Sequence, residues 1–231
     1  MNKKTQAWFV TGTDTETGKT FATCALLHAL RHQGVRALGM KPVAAGTDAD
    51  GSNEDVERLI AASGMAAPRQ LINPYLLRSA IAPHIAAAEE GRSIDIGQIV
   101  RAFNTLSAMA EAVIVEGVGG FCVPLGPKID TADLAQKLGL PVILVVGMRL
   151  GCINHALLTR QAIAARGLRL AGWIANHIDP AMLRFEDNLA ALRERIDAPL
   201  LGIIPAGSTP EAAAALLEIP DQFGLKPMEN A

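Results

Sequence analysis

The chain has no excess of positive charge with which to grip a polyanion: across 231 residues, 21 lysines and arginines face 23 aspartates and glutamates, both signs being spread throughout. With a net charge of −2 and no basic stripe, a nucleic-acid partner is not expected, which leaves small molecules or a second copy of the chain. Cysteine is scarce too. Cys24, Cys122 and Cys152 are odd in number, far apart and form no CxxC pair, so neither a disulfide framework nor a zinc site is implied, and reduced cytoplasm fits best. No apolar run approaches the roughly 20 residues that span a bilayer. The most apolar stretch, Val142 to Val146, reads as a buried strand, and Ala7 to Val10 after Lys3 and Lys4 is too short for a signal-peptide core, so neither export nor a membrane partner is expected. Internal repeats, low-complexity segments and dividing linkers are missing, so residues 1–231 are expected to form one domain.

What is present is a 50% hydrophobic composition, enough for a sizeable core, arranged in short apolar runs. Trp8–Val10, Ala37–Met40, Ala112–Val115, Val142–Val146, Leu170–Ala175 and Leu200–Ile204 read as strands buried on both faces. Between them, Thr20–His32, Asp55–Ala62, Ile96–Ala110, His155–Arg166 and Met182–Arg195 carry apolar residues at helical spacing, and Glu211–Ala215 reads as a late helix. The last few residues are expected to fray. This alternation predicts an α/β fold, a mostly parallel sheet with helices on both faces, whose ligands bind beyond the carboxyl ends of the strands.

The strongest motif lies between the first strand and the first long helix: Gly12-Thr13-Asp14-Thr15-Glu16-Thr17-Gly18-Lys19-Thr20. A phosphate-binding loop needs these residue types there. Backbone N–H groups at the helix start face phosphate oxygens, Lys19 adds positive charge, and the Thr20 hydroxyl can ligate magnesium. Gly12 lies one position before the place where the usual pattern has glycine, so an unusual loop geometry is expected.

Three further residues extend that chemistry. Glu116 ends the buried run Val113–Val115 and precedes Gly117-Val118-Gly119-Gly120, where a carboxylate is expensive unless paired or metal-bound. Lys41 follows a strand and precedes Pro42, on the sheet edge that carries the loop, where a second cation can stabilise a transferring phosphoryl group or simply face solvent. Asp55 closes the acidic stretch Thr47–Asp55, whose spacing fails as a calcium loop; from the residues alone it is a solvated segment capping a helix through Ser52, Asn53 or Asp55.

Together with Lys41-Pro42-Val43-Ala44, Asn73-Pro74-Tyr75, Pro83-His84, Val115–Gly120, Leu150-Gly151-Cys152-Ile153-Asn154-His155-Ala156 and Gly172-Trp173-Ile174-Ala175-Asn176, the loop resembles the dethiobiotin synthetase family of P-loop NTPases through most of the chain. The resemblance implies ATP- and Mg2+-dependent carboxylation of 7,8-diaminononanoate with CO2 and ring closure to dethiobiotin, by way of a carbamate and a carbamoyl-phosphate. It implies Thr20, Asp55 and Glu116 as magnesium ligands, which raises Asp55 above a loop acid, and Lys19 and Lys41 as the cations around the carbamate and γ-phosphate. Nucleotide contacts fall on Glu16, Thr17, Gly18, Lys19, Thr20, Phe21, Asp55, Glu116, Gly117, Val118, Gly119, Asn176, His177, Pro205, Ala206 and Gly207, with the Asn176 amide reading the adenine edge. Substrate contacts fall on Thr15, Lys41, Ala45, Gly151, Cys152 and Asn154, the last three reaching the substrate carboxylate of a neighbouring subunit in a homodimer, with Cys152 a packing residue.

Two positions depart from the family pattern. Ala45 stands where a serine is expected, which removes a hydroxyl that a water or Thr47 would have to replace, and Thr17 stands where valine is frequent. Two rival readings share the loop. An amide-forming synthetase of the cobyrinic acid a,c-diamide synthase type would need an added glutaminase domain, for which the chain offers no room. A partition-type ATPase would need a lysine early in the loop, a basic surface or an amphipathic C-terminal helix; the loop has Asp14 and Glu16, and Pro220–Ala231 has no sustained amphipathic period.

Overall fold

The computed structural model describes residues 5–220, so Lys3, Lys4 and the chain end expected to fray without amphipathic period lie outside the described residues, Pro220 apart. Strand β1 (Gln6–Gly12) leads into α1 (Lys19–His32), then β2 (Ala37–Met40), β3 (Val43–Ala45), α2 (Glu54–Ser63), α3 (Arg69–Ile72), β4 (Tyr75–Leu77), α4 (Pro83–Glu89), α5 (Ile96–Met109) and β5 (Ala112–Glu116). Beyond these come α6 (Thr131–Leu138), β6 (Val142–Gly147), α7 (Cys152–Ala165), β7 (Leu170–Asn176), α8 (Phe185–Arg195), β8 (Leu200–Ile204) and α9 (Pro210–Ala214).

The six expected strands form one parallel sheet in the order β2-β5-β1-β6-β7-β8. Parallel strands need crossovers, and the crossover helices cover both faces, which is why the strands read as unbroken apolar runs. Alternate residues of β1 divide between the two sides: Ala7 and Phe9 join the cluster with Leu38, Val113, Ile99 and Leu106, whereas Trp8 and Val10 pack with Leu26, Leu27 and Leu30 of α1. Further along the sheet, Leu144, Val146 and Trp173 meet Leu189 and Leu192 of α8. With every strand running the same way, Gly12, Met40, Glu116, Gly147, Asn176 and Ile204 all end on one edge.

Several elements go beyond the expected set. Strands β3 and β4 pair with each other in a separate two-stranded ribbon, beside short helices α3 and α4. Helix α6 carries a capping box, in which the Asp130 side chain accepts from the Asp133 N–H while Asp133 accepts from the Asp130 N–H. At α2 the cap is Asn53, whose side chain accepts from the Val56 N–H, so Asp55 lies inside the first turn and is free to face elsewhere.

Candidate active site

Between Gly12 and Gly18 the chain has one residue more than the usual phosphate loop, and left-handed backbone absorbs it, with φ of 58° at Glu16 and 79° at Gly18. Both the Thr17 hydroxyl and the Lys19 ammonium donate to the Asp14 carbonyl, at 3.2 and 2.8 Å, and draw the loop closed. The hydroxyl by which Thr17 differs from valine thus has a partner inside the loop. Gly18 is required twice over: its φ suits only glycine, and a Cβ there would lie 2.1 Å from Asn176 Nδ2. That amide donates to the Thr17 carbonyl at 2.9 Å, so Asn176 braces the loop from behind.

Four side chains from four segments meet beyond the loop. Glu116, at the end of β5, is fully buried, and its Oε1 accepts from the Thr20 hydroxyl at 2.7 Å and from Lys41 Nζ at 2.5 Å. Lys41 also donates to Asp55 Oδ2 at 3.1 Å. Burial alone would push the Lys41 ammonium down, but the touching carboxylates of Glu116 and Asp55 outweigh it and hold the group above its ordinary value. For Asp55, burial would raise the carboxyl, and Lys41 together with hydrogen bonds from Thr20 and Lys41 lowers it instead. Lys19 has no such contact: burial first, and the nearby Lys41 charge second, bring it down from 10.5 to about 8. Glu116 Oε2 is buried without a hydrogen-bond partner among the described residues, an orphan that a bound cation would satisfy.

These groups line a cavity of about 310 Å³ together with Thr15, Glu16, Gly18, Phe21, Ala45, Val118 and Gly119, and with Ala44, Asn53 and Arg58, which sequence reasoning missed. Arg58 follows Asp55 by three residues on α2 and so shares its face, a spacing that could have flagged it. Gly117 sits just behind, its carbonyl 3.4 Å from Lys41 Nζ, and Thr17 lies under the loop. Phe21 and Arg58 also open onto a neighbouring hollow of about 410 Å³ reached by Ser208 and Thr209, just past Pro205, Ala206 and Gly207. His177 stacks on Phe185 with ring centroids 4.3 Å apart. Gly151, Cys152 and Asn154 do not join this cavity; Gly151 and Asn154 are exposed at the start of α7, and Cys152 is buried, with its thiol raised by burial as befits a packing residue. A larger hollow of about 950 Å³, among Thr5, Ser107, Gln136 and Pro141, lies at the opposite edge of the sheet and contains none of these residues.

The donor set is hard oxygen from two carboxylates and one hydroxyl. Among the described residues no group of three or more His, Cys, Asp or Glu forms a full protein cage. Magnesium fits such a sparse set, because it keeps waters and takes phosphate oxygens as ligands.

Fold and site together define a P-loop nucleoside triphosphate-dependent protein. The AAA domain family matches residues 6–212. The chain belongs to the ATP-dependent dethiobiotin synthetase family: it is 64% identical over 220 residues to the enzyme BioD of Aromatoleum aromaticum, covering 93% of this chain and 98% of that one. To its counterpart in a Janthinobacterium species it is 56% identical over 219 residues, covering 91% and 93%. Among solved structures, the septum site-determining protein MinD complexed with Mg-ADP from Pyrococcus horikoshii shares the fold with a TM-score of 0.54 and 19% identity, over 87% of this chain and 81% of that one. At that identity the likeness speaks for the fold alone.

Proposed function

We propose that this chain is an ATP-dependent ligase that forms dethiobiotin from 7,8-diaminononanoate and CO2, in biotin biosynthesis. Family membership supports the reaction, and the observation that ties it to this chain is the meeting of Lys19, Thr20, Lys41, Asp55 and Glu116 around one cavity. Phosphate release with each substrate withheld in turn tests it.

On this reading one amine adds to CO2 and loses a proton, giving a carbamate. A carbamate oxygen then attacks the γ-phosphorus and the bond to ADP breaks, leaving a carbamoyl-phosphate. The second amine attacks its carbonyl carbon and expels phosphate as the ring closes. The protein contributes positioning and charge. The loop N–H groups and Lys19 hold the triphosphate, Glu16 to Phe21 and Gly117 to Gly119 flank it, and Asn176, His177 and Pro205 to Gly207 surround the base. One Asn176 N–H is already engaged by Thr17, so the rest of the amide is left for adenine. Lys41 lies where the carbamate and the γ-phosphate would meet, and Thr15 and Ala45 flank the substrate nitrogens. Thr47 is not among the residues lining the cavity, so a water would have to replace the hydroxyl absent at Ala45.

Magnesium would be held by Thr20, Asp55 and Glu116, and there it would supply positive charge against the triphosphate. The orphaned Glu116 oxygen supports this. Asp55→Asn and Glu116→Gln are each expected to raise the magnesium concentration needed at fixed ATP by about tenfold or more; an unchanged titration would count against this ligand set.

We read residues 1–231 as one domain acting in the cytoplasm; among the described residues no helix is long and apolar enough to cross a membrane. The active form is a homodimer, in which Gly151, Cys152 and Asn154 complete the partner's substrate site through N–H groups at the start of α7. Leu150 and Leu158, 95% and 56% exposed beside that segment, support an apolar contact there. Sedimentation should find a dimer at assay concentration, and a fully active monomer would refute the shared site.

A further inference from the structure

We infer that the Arg149–Asp14 ion pair couples the nucleotide loop to the turn between β6 and α7, so that nucleotide bound to one protomer tightens diaminononanoate binding in the site which that turn completes on the partner. The inference rests on the functional reading above, and it adds two positioning residues that the reaction itself does not name.

Asp14 sits at the centre of the loop's hydrogen bonding. Its carbonyl accepts from Lys19 and Thr17, its Oδ1 accepts from the Thr15 N–H at 2.8 Å, and its Oδ2 accepts from Arg149 at 2.8 Å. Arg149 in turn belongs to the turn that leads into α7, and its own carbonyl accepts from the Cys152 N–H at 3.0 Å. One residue therefore links the loop to the first residue of α7. The two segments are also pressed together: a Cβ on Gly147 would lie 3.2 Å from Thr17 Cα, and Met148 donates to the carbonyl of Asn176, the residue that braces Thr17.

Lys19 Nζ has three donors, so it can keep the Asp14 carbonyl while the other two serve a triphosphate. A triphosphate gripped by Lys19 therefore fixes Asp14 through its carbonyl, and Arg149 is held to Asp14 by charge. Ordering Arg149 orders the turn ahead of Gly151 and Asn154, so the second ligand meets a segment whose freedom has already been lost. Both side chains are near the surface, 39% and 47% exposed, so as a stability element the pair contributes only about 0–1 kcal/mol. Its consequence lies in what it joins, and its removal leaves the fold intact.

The test is calorimetric titration of diaminononanoate with and without a non-hydrolysable ATP analogue and magnesium. In the parent chain the analogue should tighten diaminononanoate by about twofold to fivefold, the range such a pair can carry. Raising the salt should shrink that factor, because a half-exposed pair is screened. Arg149→Met should bring the factor close to one and abolish its salt dependence, Arg149→Lys should retain most of it, and Asp14→Asn should behave like Arg149→Met. Analogue affinity in Arg149→Met should stay within about fivefold of the parent, the most such a pair supplies. An unchanged factor in Arg149→Met and Asp14→Asn, or no coupling in the parent, would overturn the inference. Loss of analogue binding in Arg149→Met would do so too, by making Arg149 a nucleotide ligand. A parent chain that binds no nucleotide at all would instead overturn the functional reading beneath it.

Discussion

Replacing Lys19 by alanine is expected to remove nearly all turnover while leaving the chain folded. Backbone dipoles alone neutralise a triphosphate poorly, and Lys19 is the buried cation not already committed to a carboxylate contact in this site. Its lowered pKa adds a signature. With the group at about 8 in the free chain, a growing fraction is neutral above that pH, whereas a bound triphosphate favours the ammonium and raises the value. Binding then takes up a proton, so nucleotide affinity should fall as pH rises above 8, approaching about tenfold per pH unit until the bound-state value is reached. Calorimetry across pH 7 to 10 checks both parts, and the alanine variant should lose the slope along with the affinity. Full turnover in Lys19→Ala would remove the phosphate loop from the mechanism.

Lys41→Gln is expected to lower the single-turnover rate constant by roughly a hundredfold or more, on the scale of losing one transition-state donor, with a much smaller change in ATP affinity. The geometry adds a second consequence. Lys41 is the charge partner of the fully buried Glu116, and breaking such a pair costs about 3 kcal/mol or more because the other charge stays buried alone. Denaturation should therefore register the substitution as well. The double variant Lys41→Gln with Glu116→Gln, which removes both charges, should recover much of the stability and none of the rate. ATP binding abolished in Lys41→Gln would make Lys41 a nucleotide anchor, and an unchanged rate constant would make it a bystander.

The parallel sheet was legible because its strands are buried on both faces: runs such as Val142–Val146 have few other ways to be satisfied than as central strands. The ribbon of β3 and β4 was not, since three residues such as Val43–Ala45 carry no measurable period. Helix α6 had a readable start in Asp130 and Asp133, three residues apart, but an aspartate in place of the usual Glu or Gln weakens that signature. Within the site, Gly18, Lys19 and Thr20 declare themselves by spacing, and Glu116 by the cost of a carboxylate ending an apolar run. Asp55 could be singled out only through family resemblance, because locally it resembles any acid near a helix start; the structure carries it to Lys41, 14 residues away in sequence. The Arg149–Asp14 pair, separated by 135 residues, has no local signal at all, and only the adjacency of β1 and β6 brings it together.

The most direct measurement is ATP turnover by the purified chain with magnesium, diaminononanoate and bicarbonate, each withheld in turn. ADP and phosphate should appear only with all of them present, in step with dethiobiotin. Steady ATP hydrolysis that ignores diaminononanoate and bicarbonate would contradict the account and leave a nucleotide switch in its place.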